Sequence, residues 1–164
     1  MLIADWLTFW RSCEPNRQAV YDVAQQRSYS YAQLADASEL YALKLQAMNL
    51  PQGARIALLA ANCPQTLMLL FACARLGLVL VPLNYRLTPT ELSAIVADAD
   101  PSLLLYDDVY QMSALVISLP EPCYRMSLDE FSHLPQEGCL PQSLPDAERP
   151  LVIQYTSGTT GQPK

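Results

Sequence analysis

Between Arg55 and Asp108 the chain reads as strand, helix, strand, helix, strand, and this alternation restricts the fold more than any other feature. "RIALLAA" is a short apolar run. "NCPQTLMLLFACARLG" follows it with Asn62 or Cys63 as a cap, Pro64 in the first turn and Gly77 just past the end. That helix is apolar nearly all round and is expected to be buried. "LVLVPL" is the second strand. "TPTELSAIVADAD" opens on a T-x-x-E capping box, Thr88 to Glu91, with Pro89 at the first helical position. Its Leu92, Ile95, Val96 and Ala99 fall at i, i+3, i+4 and i+7, which gives one core-facing stripe. "SLLLYDD" closes the series. Uninterrupted apolar strands alternating with helices predict an α/β fold, a parallel sheet flanked by helices on both faces.

Ahead of this series, "QAVYDV" and "QRSYSY" read as two strands joined tightly around Ala24 to Gln26. Ser30 and Gln33 form a second capping box, and the helix it opens carries Leu34, Ala37, Tyr41, Leu45 and Met48 on one face. Residues 109 to 149 are proline-rich, with only short apolar runs such as "ALVISL". One or two short strands, a helical turn at "SLDEF" and a surface linker are expected there.

Several function classes are excluded by composition. At 164 residues, half of them apolar and 16% charged, the chain can bury one core without disulfides or metals. Its net charge of −6, with no Lys/Arg cluster, offers nothing to attract nucleic acid or anionic lipid. The stretch Ile56 to Ala74 has no charge, but Asn62, Cys63, Pro64 and Gln65 break it in the middle, so no transmembrane segment is expected. "MLIADWLTFWR" lacks a basic start, and Asp5 interrupts its apolar run, which argues against export. Cys13, Cys63, Cys73, Cys123 and Cys139 are odd in number and contain no C-x-x-C pair. They read as small buried hydrophobes in a reducing, cytoplasmic compartment. The only histidine, His133, has no partner for metal binding and reads as a surface residue.

Chemistry is concentrated at "YTSGTTGQPK", Tyr155 to Lys164. Leu151, Val152, Ile153 and Tyr155 read as a buried strand, and the loop after such a strand is where α/β proteins bind phosphate. Gly158 and Gly161 let backbone N–H groups approach an anion, Thr156, Ser157, Thr159 and Thr160 add hydroxyl donors, and Lys164 adds a charge. A Walker loop is excluded, because the glycines are three apart and no Ser or Thr follows the lysine. Turn chemistry alone leaves a glycine-rich hairpin open as an alternative.

The full phrase resembles the signature phosphate loop of the AMP-forming adenylating enzymes, which include acyl-CoA synthetases, peptide-synthetase adenylation domains and luciferases. The likeness extends over "RSYSYAQLADASELYALKLQAMNLPQGARIALLAANCPQTLMLLFACARLGLVLVPLNYRLTPTELSAIVADADPSLLLYDD" and the opening "ADWLTFWRSCEPNRQAVYD", with residues 109 to 149 the exception. "VPLNYRLTPTEL" is similar to the N-x-R-L-x-x-x-E-L form of acyl-CoA synthetases. One departure is Ala54, where the family often has an aspartate in a surface turn.

The resemblance implies the front part of the large N-terminal domain of adenylate-forming enzymes, with residues 1–164 an incomplete AMP-binding domain that ends at the phosphate loop and lacks the C-terminal domain. It implies ATP with Mg2+, a carboxylic acid such as a fatty acid, and CoA as co-substrate. The acid would attack the α-phosphate of ATP to give an acyl-adenylate and pyrophosphate, and the CoA sulfur would then displace AMP. Thr156, Ser157, Gly158, Thr159, Thr160, Gly161 and Lys164 would hold the phosphates. The family's adenine contacts, magnesium-binding glutamate, acyl pocket and catalytic lysine match nothing here, so no catalytic residue and no metal ligand is expected in this chain, and it is expected to be inactive alone. A separate chain could supply the remainder. The alternatives are a non-catalytic nucleotide- or anion-binding module, an adenylation domain of another subclass, and an unrelated anion binder.

Overall fold

The computed structural model describes residues 3–136, 138–140 and 148–156. In chain order the elements are α1 (Ile3–Cys13), β1 (Gln18–Asp22), β2 (Arg27–Ser30), α2 (Tyr31–Ala47), β3 (Arg55–Leu59), α3 (Pro64–Leu76), β4 (Val79–Leu83), α4 (Pro89–Ala99), β5 (Leu103–Tyr106), a 3-10 turn (Asp108–Tyr110), α5 (Gln111–Val116), β6 (Tyr124–Ser127) and α6 (Leu128–Ser132). They divide between two compact units. The first comprises Met1–Gln52, Asn62–Gly77 and Pro135–Arg149, and the second Gly53–Ala61, Leu78–Leu134 and Pro150–Lys164.

In the first unit, β1 and β2 pair antiparallel as expected. Asp22 shapes their turn, its Oδ1 accepting from the Ala24 and Gln25 backbone N–H groups, while Gln26 takes a left-handed φ of 51°. The Ser30 hydroxyl accepts from the Gln33 amide and the Gln33 side chain accepts from the Ser30 amide, which starts α2 where the capping box predicts. The buried face of α2 includes the expected one and is wider: Leu34 and Leu45 are buried, Ala37 and Tyr41 are half-buried against the core, Met48 becomes the C-cap, and Ala35, Ser38, Ala42 and Lys44 are buried as well. Three of these buried residues, Ala35, Ser38 and Ala42, are small. Helix α3 has no exposed residue, matching its all-round apolar character, and Gly77 ends it at φ 67° in the left-handed region. Its N-cap Cys63 makes no side-chain capping bond.

The second unit is a four-stranded parallel sheet in the order β4-β3-β5-β6. Every residue of β5 is buried, as expected of a strand in a sheet covered on both faces. The Thr88–Glu91 capping box forms, and Leu92, Ile95, Val96 and Ala99 are the buried residues of α4. They pack with Ala57, Leu59, Val81, Leu83, Leu104 and Tyr106 from one face of the sheet. Burying each large aliphatic side chain of that stripe contributes roughly 1.5–3 kcal/mol.

Three expectations are corrected. "ALVISL" does not form a strand: Ala114 to Val116 finish α5, and Ile117 is a buried contact of the same core. Among the cysteines only Cys73 is buried, and desolvation pushes its thiol up to about 12; Cys63 and Cys123 are half-buried, and Cys13 and Cys139 are exposed. The segment Leu151 to Tyr155 is not a buried strand. It meets the sheet at a single parallel bridge, Val152 to Leu80, and Val152 is 41% exposed. His133 is exposed as expected. Among the described residues no helix is long and apolar enough to cross a membrane.

Candidate functional site

The single bridge has a cause in the sequence. The Leu80 amide donates to the Leu151 carbonyl at 2.8 Å, and the Ile153 amide donates to the Leu80 carbonyl at 3.0 Å. Successive residues of a strand turn their amides to opposite sides, so the next N–H facing Ile153 belongs to residue 82. That residue is Pro82, which has no N–H to give. On its other side β4 keeps a five-residue register with β3, from Arg55–Val79 to Leu59–Leu83, because the amides there come from odd-numbered residues. Pro82 thus leaves the sheet interior intact and ends the outer ladder at Ile153.

Beyond that point the chain follows side-chain contacts. Ile153 and Tyr155 pack, partly buried, against the core cluster of the second unit. The Tyr155 hydroxyl donates to Asp98 Oδ2 at 2.5 Å, from the last turn of α4. Desolvation, and then this hydrogen bond and the Asp98 charge, push the Tyr155 phenol up to about 12, with Arg55 opposing. Tyr155 and Thr156 line a cavity of about 280 Å³ together with Leu83, Asn84, Leu87 and Ile95. It lies at the carboxyl end of β4, the end at which open parallel sheets bind ligands. Its volume suits a small group or a few waters and is too small for a whole nucleotide.

The same edge carries a polar turn. Asn84 accepts at Oδ1 from the Arg86 amide, and its carbonyl accepts from the Leu87 amide. Tyr85 and Tyr110 stand with ring centres 5.3 Å apart, and the Arg86 guanidinium lies 5.6 Å from the Tyr85 ring. Desolvation, and then the neighbouring Tyr85 and Asp107, push the Tyr110 phenol up, with Arg86 opposing.

Of the seven residues expected to hold phosphate, Thr156 is placed, exposed, at the mouth of this cavity. Ser157, Gly158, Thr159, Thr160, Gly161 and Lys164 lie outside the described residues. Asp98 and Pro82 were missed as contributors. The proline was visible in "LVLVPL", but its effect depends on which neighbour faces its nitrogen. Asp98 carries no local signal, since its partner is 57 residues away. Among the described residues there is no group of three or more His, Cys, Asp or Glu side chains that could hold a metal ion.

Comparison with known proteins points to one family. A family model described as AMP-binding enzyme matches residues 9–164. Over 179 aligned positions the chain is 36% identical to an indoleacetate–CoA ligase of Aromatoleum aromaticum, covering 100% of this chain and 34% of that protein. It is 30% identical to a 2-succinylbenzoate–CoA ligase of Oceanobacillus iheyensis, covering 97% of this chain and 32% of the relative. The fold is similar to that of a Mycobacterium tuberculosis fatty acyl CoA synthetase, with a TM-score of 0.83 and 27% identity over 99% of this chain and 33% of that one. The chain spans about a third of the length of these curated relatives.

Proposed function

Because the chain belongs to the AMP-binding enzyme family, we propose that it carries the phosphate-handling part of an adenylate-forming acid–CoA ligase, with Ser157, Gly158, Thr159, Thr160, Gly161 and Lys164, together with Thr156, holding the β- and γ-phosphates of ATP. The observation that carries this reading is "YTSGTTGQPK" in sequence, led in by a segment that runs parallel to β4 toward the carboxyl end of the sheet. When the carboxylate oxygen bonds to the α-phosphorus, the bond to the pyrophosphate oxygen breaks and negative charge collects on the leaving group. Preorganised N–H groups, hydroxyls and one ammonium meet that charge without reorganising, which lowers the barrier. The acyl-adenylate then passes its acyl group to the CoA sulfur, and AMP leaves. Mg2+ accompanies ATP in this reading, and no step is assigned to it.

The form "VPLNYRLTPTEL" and the CoA-ligase relatives favour an acyl or aryl acid as substrate. The motifs for adenine, acyl group and catalytic lysine match nothing in residues 1–164, so these residues alone bind polyphosphate without turning it over. The chain's net charge of −6 opposes a polyanion, which leaves the loop as the source of affinity. ATP and tripolyphosphate should bind residues 1–164 with Kd on the order of millimolar, roughly 4 kcal/mol. Lys164→Ala should weaken both. The assay is 31P NMR titration, followed by exchange of labelled pyrophosphate into ATP with a panel of fatty and aromatic acids. Binding that ignores Lys164→Ala would refute the loop assignment, and acid-dependent exchange by the wild type would show that these residues are catalytic by themselves.

A further inference from the structure

Asp98 stands where a carboxylate is poorly placed for its own helix. It lies in the last turn of α4, whose carbonyl end repels negative charge, and that turn contains no basic residue. The neighbouring Asp100, the left-handed C-cap at φ 45°, has the Arg55 guanidinium 3.8 Å away. Asp98 is exposed, yet it accepts the Tyr155 hydroxyl at 2.5 Å. Tyr155 immediately precedes the first of the proposed phosphate-binding residues. It also lies past the point where Pro82 ends the ladder, so among the described residues no further backbone rung fixes its course.

We infer that Asp98 is a positioning residue: by holding the Tyr155 hydroxyl it anchors the chain entering the phosphate-binding sequence to α4, and so sets where that sequence leaves the carboxyl edge of the sheet. The inference rests on the phosphate-binding reading above. A carboxylate suits the task because it accepts strongly from a phenol, and its exposure leaves the packing of α4 independent of it.

The test uses residues 1–164 as wild type, Asp98→Ala, Asp98→Asn, Tyr155→Phe and Lys164→Ala, with inorganic tripolyphosphate as the probe and 31P NMR as the readout. Amide hydrogen exchange at residues 154–156 is followed without ligand. Asp98→Ala and Tyr155→Phe should each weaken tripolyphosphate binding about three- to tenfold, the range expected for the net loss of one solvent-exposed hydrogen bond. Melting should be nearly unchanged, and exchange at Gln154 to Thr156 should quicken. Asp98→Asn retains an acceptor oxygen and should restore both affinity and protection, which a purely electrostatic effect of residue 98 on the anion would not produce. If Asp98→Ala and Tyr155→Phe bind like wild type while Lys164→Ala loses binding, the anchoring role is overturned and the phosphate loop stands. If wild type and Lys164→Ala bind alike, or neither binds, the loop reading fails and the anchoring role fails with it.

Discussion

The two sides of β4 are held by different means. Toward β3, five consecutive residue pairs are in register and every residue of β4 except Pro82 is buried, so hydrogen bonding and desolvation act together. On the other side one bridge joins Leu80 to Val152, and the chain beyond it depends on Ile153, Tyr155 and a phenol held by a carboxylate. The first side behaves as core, where any change of volume or charge is felt. The second can be adjusted one contact at a time, which suits a segment that leads into the proposed phosphate-binding residues.

The largest expected effect is on the core side. Leu92 is fully buried in the stripe that α4 sets against the sheet. Leu92→Asp places an unpaired carboxylate there at a cost of several kcal/mol and should abolish the cooperative melting transition of the second unit. An unchanged transition would break the contrast, because it would mean that α4 is no more tightly held than the outer segment.

A smaller effect is expected from the outer side at alkaline pH. The Tyr155 phenol ionises near about 12 in the fold against an ordinary 10.0. A raised folded pKa means that the fold prefers the protonated form, so this contribution is whole below pH 10 and is lost as pH rises toward 12. Urea midpoints followed from pH 9 upward should fall more gently for Tyr155→Phe, which has no proton to lose. Parallel curves would show that the phenol contributes nothing.

The smallest effect sharpens the comparison most. Pro82→Ala supplies the missing amide, and a second rung to the Ile153 carbonyl should form. The net gain of a hydrogen bond, about 1 kcal/mol, is largely offset by the greater freedom of the unfolded chain. The melting temperature should therefore barely move, while the new residue-82 amide becomes protected from exchange. A rapidly exchanging amide would mean that something other than Pro82 ends the ladder.

Much of the second unit was legible because its signals are local. Thr88, Pro89 and Glu91 state where α4 begins within four residues, and Leu92, Ile95, Val96 and Ala99 state which side is buried. The same holds for Ser30 and Gln33 at the start of α2. Legibility failed where local choices were nearly balanced. "ALVISL" suits a strand or a short helix, and its outcome turned on the core packing of Ala114 and Ile117. In α2 the periodicity named Leu34, Ala37, Tyr41 and Leu45, which are buried or pack against the core, but it did not show that packing also buries the adjoining Ala35, Ser38 and Ala42.

The sequence by itself determined the alternation of elements, the two capping-box helix starts and membership in a family whose signature it carries nearly from end to end, because these depend on residues within a turn or two of each other or on a motif read in order. Tertiary structure alone decided that α5 and β6 extend the second unit, that the segment after Pro150 meets β4 at one rung, and that Asp98 accepts from Tyr155. Those outcomes depend on which groups from distant parts of the chain face each other. A proline's missing amide matters only once a partner carbonyl stands opposite it, and a carboxylate at the wrong end of a helix becomes useful only once a hydroxyl is brought to it.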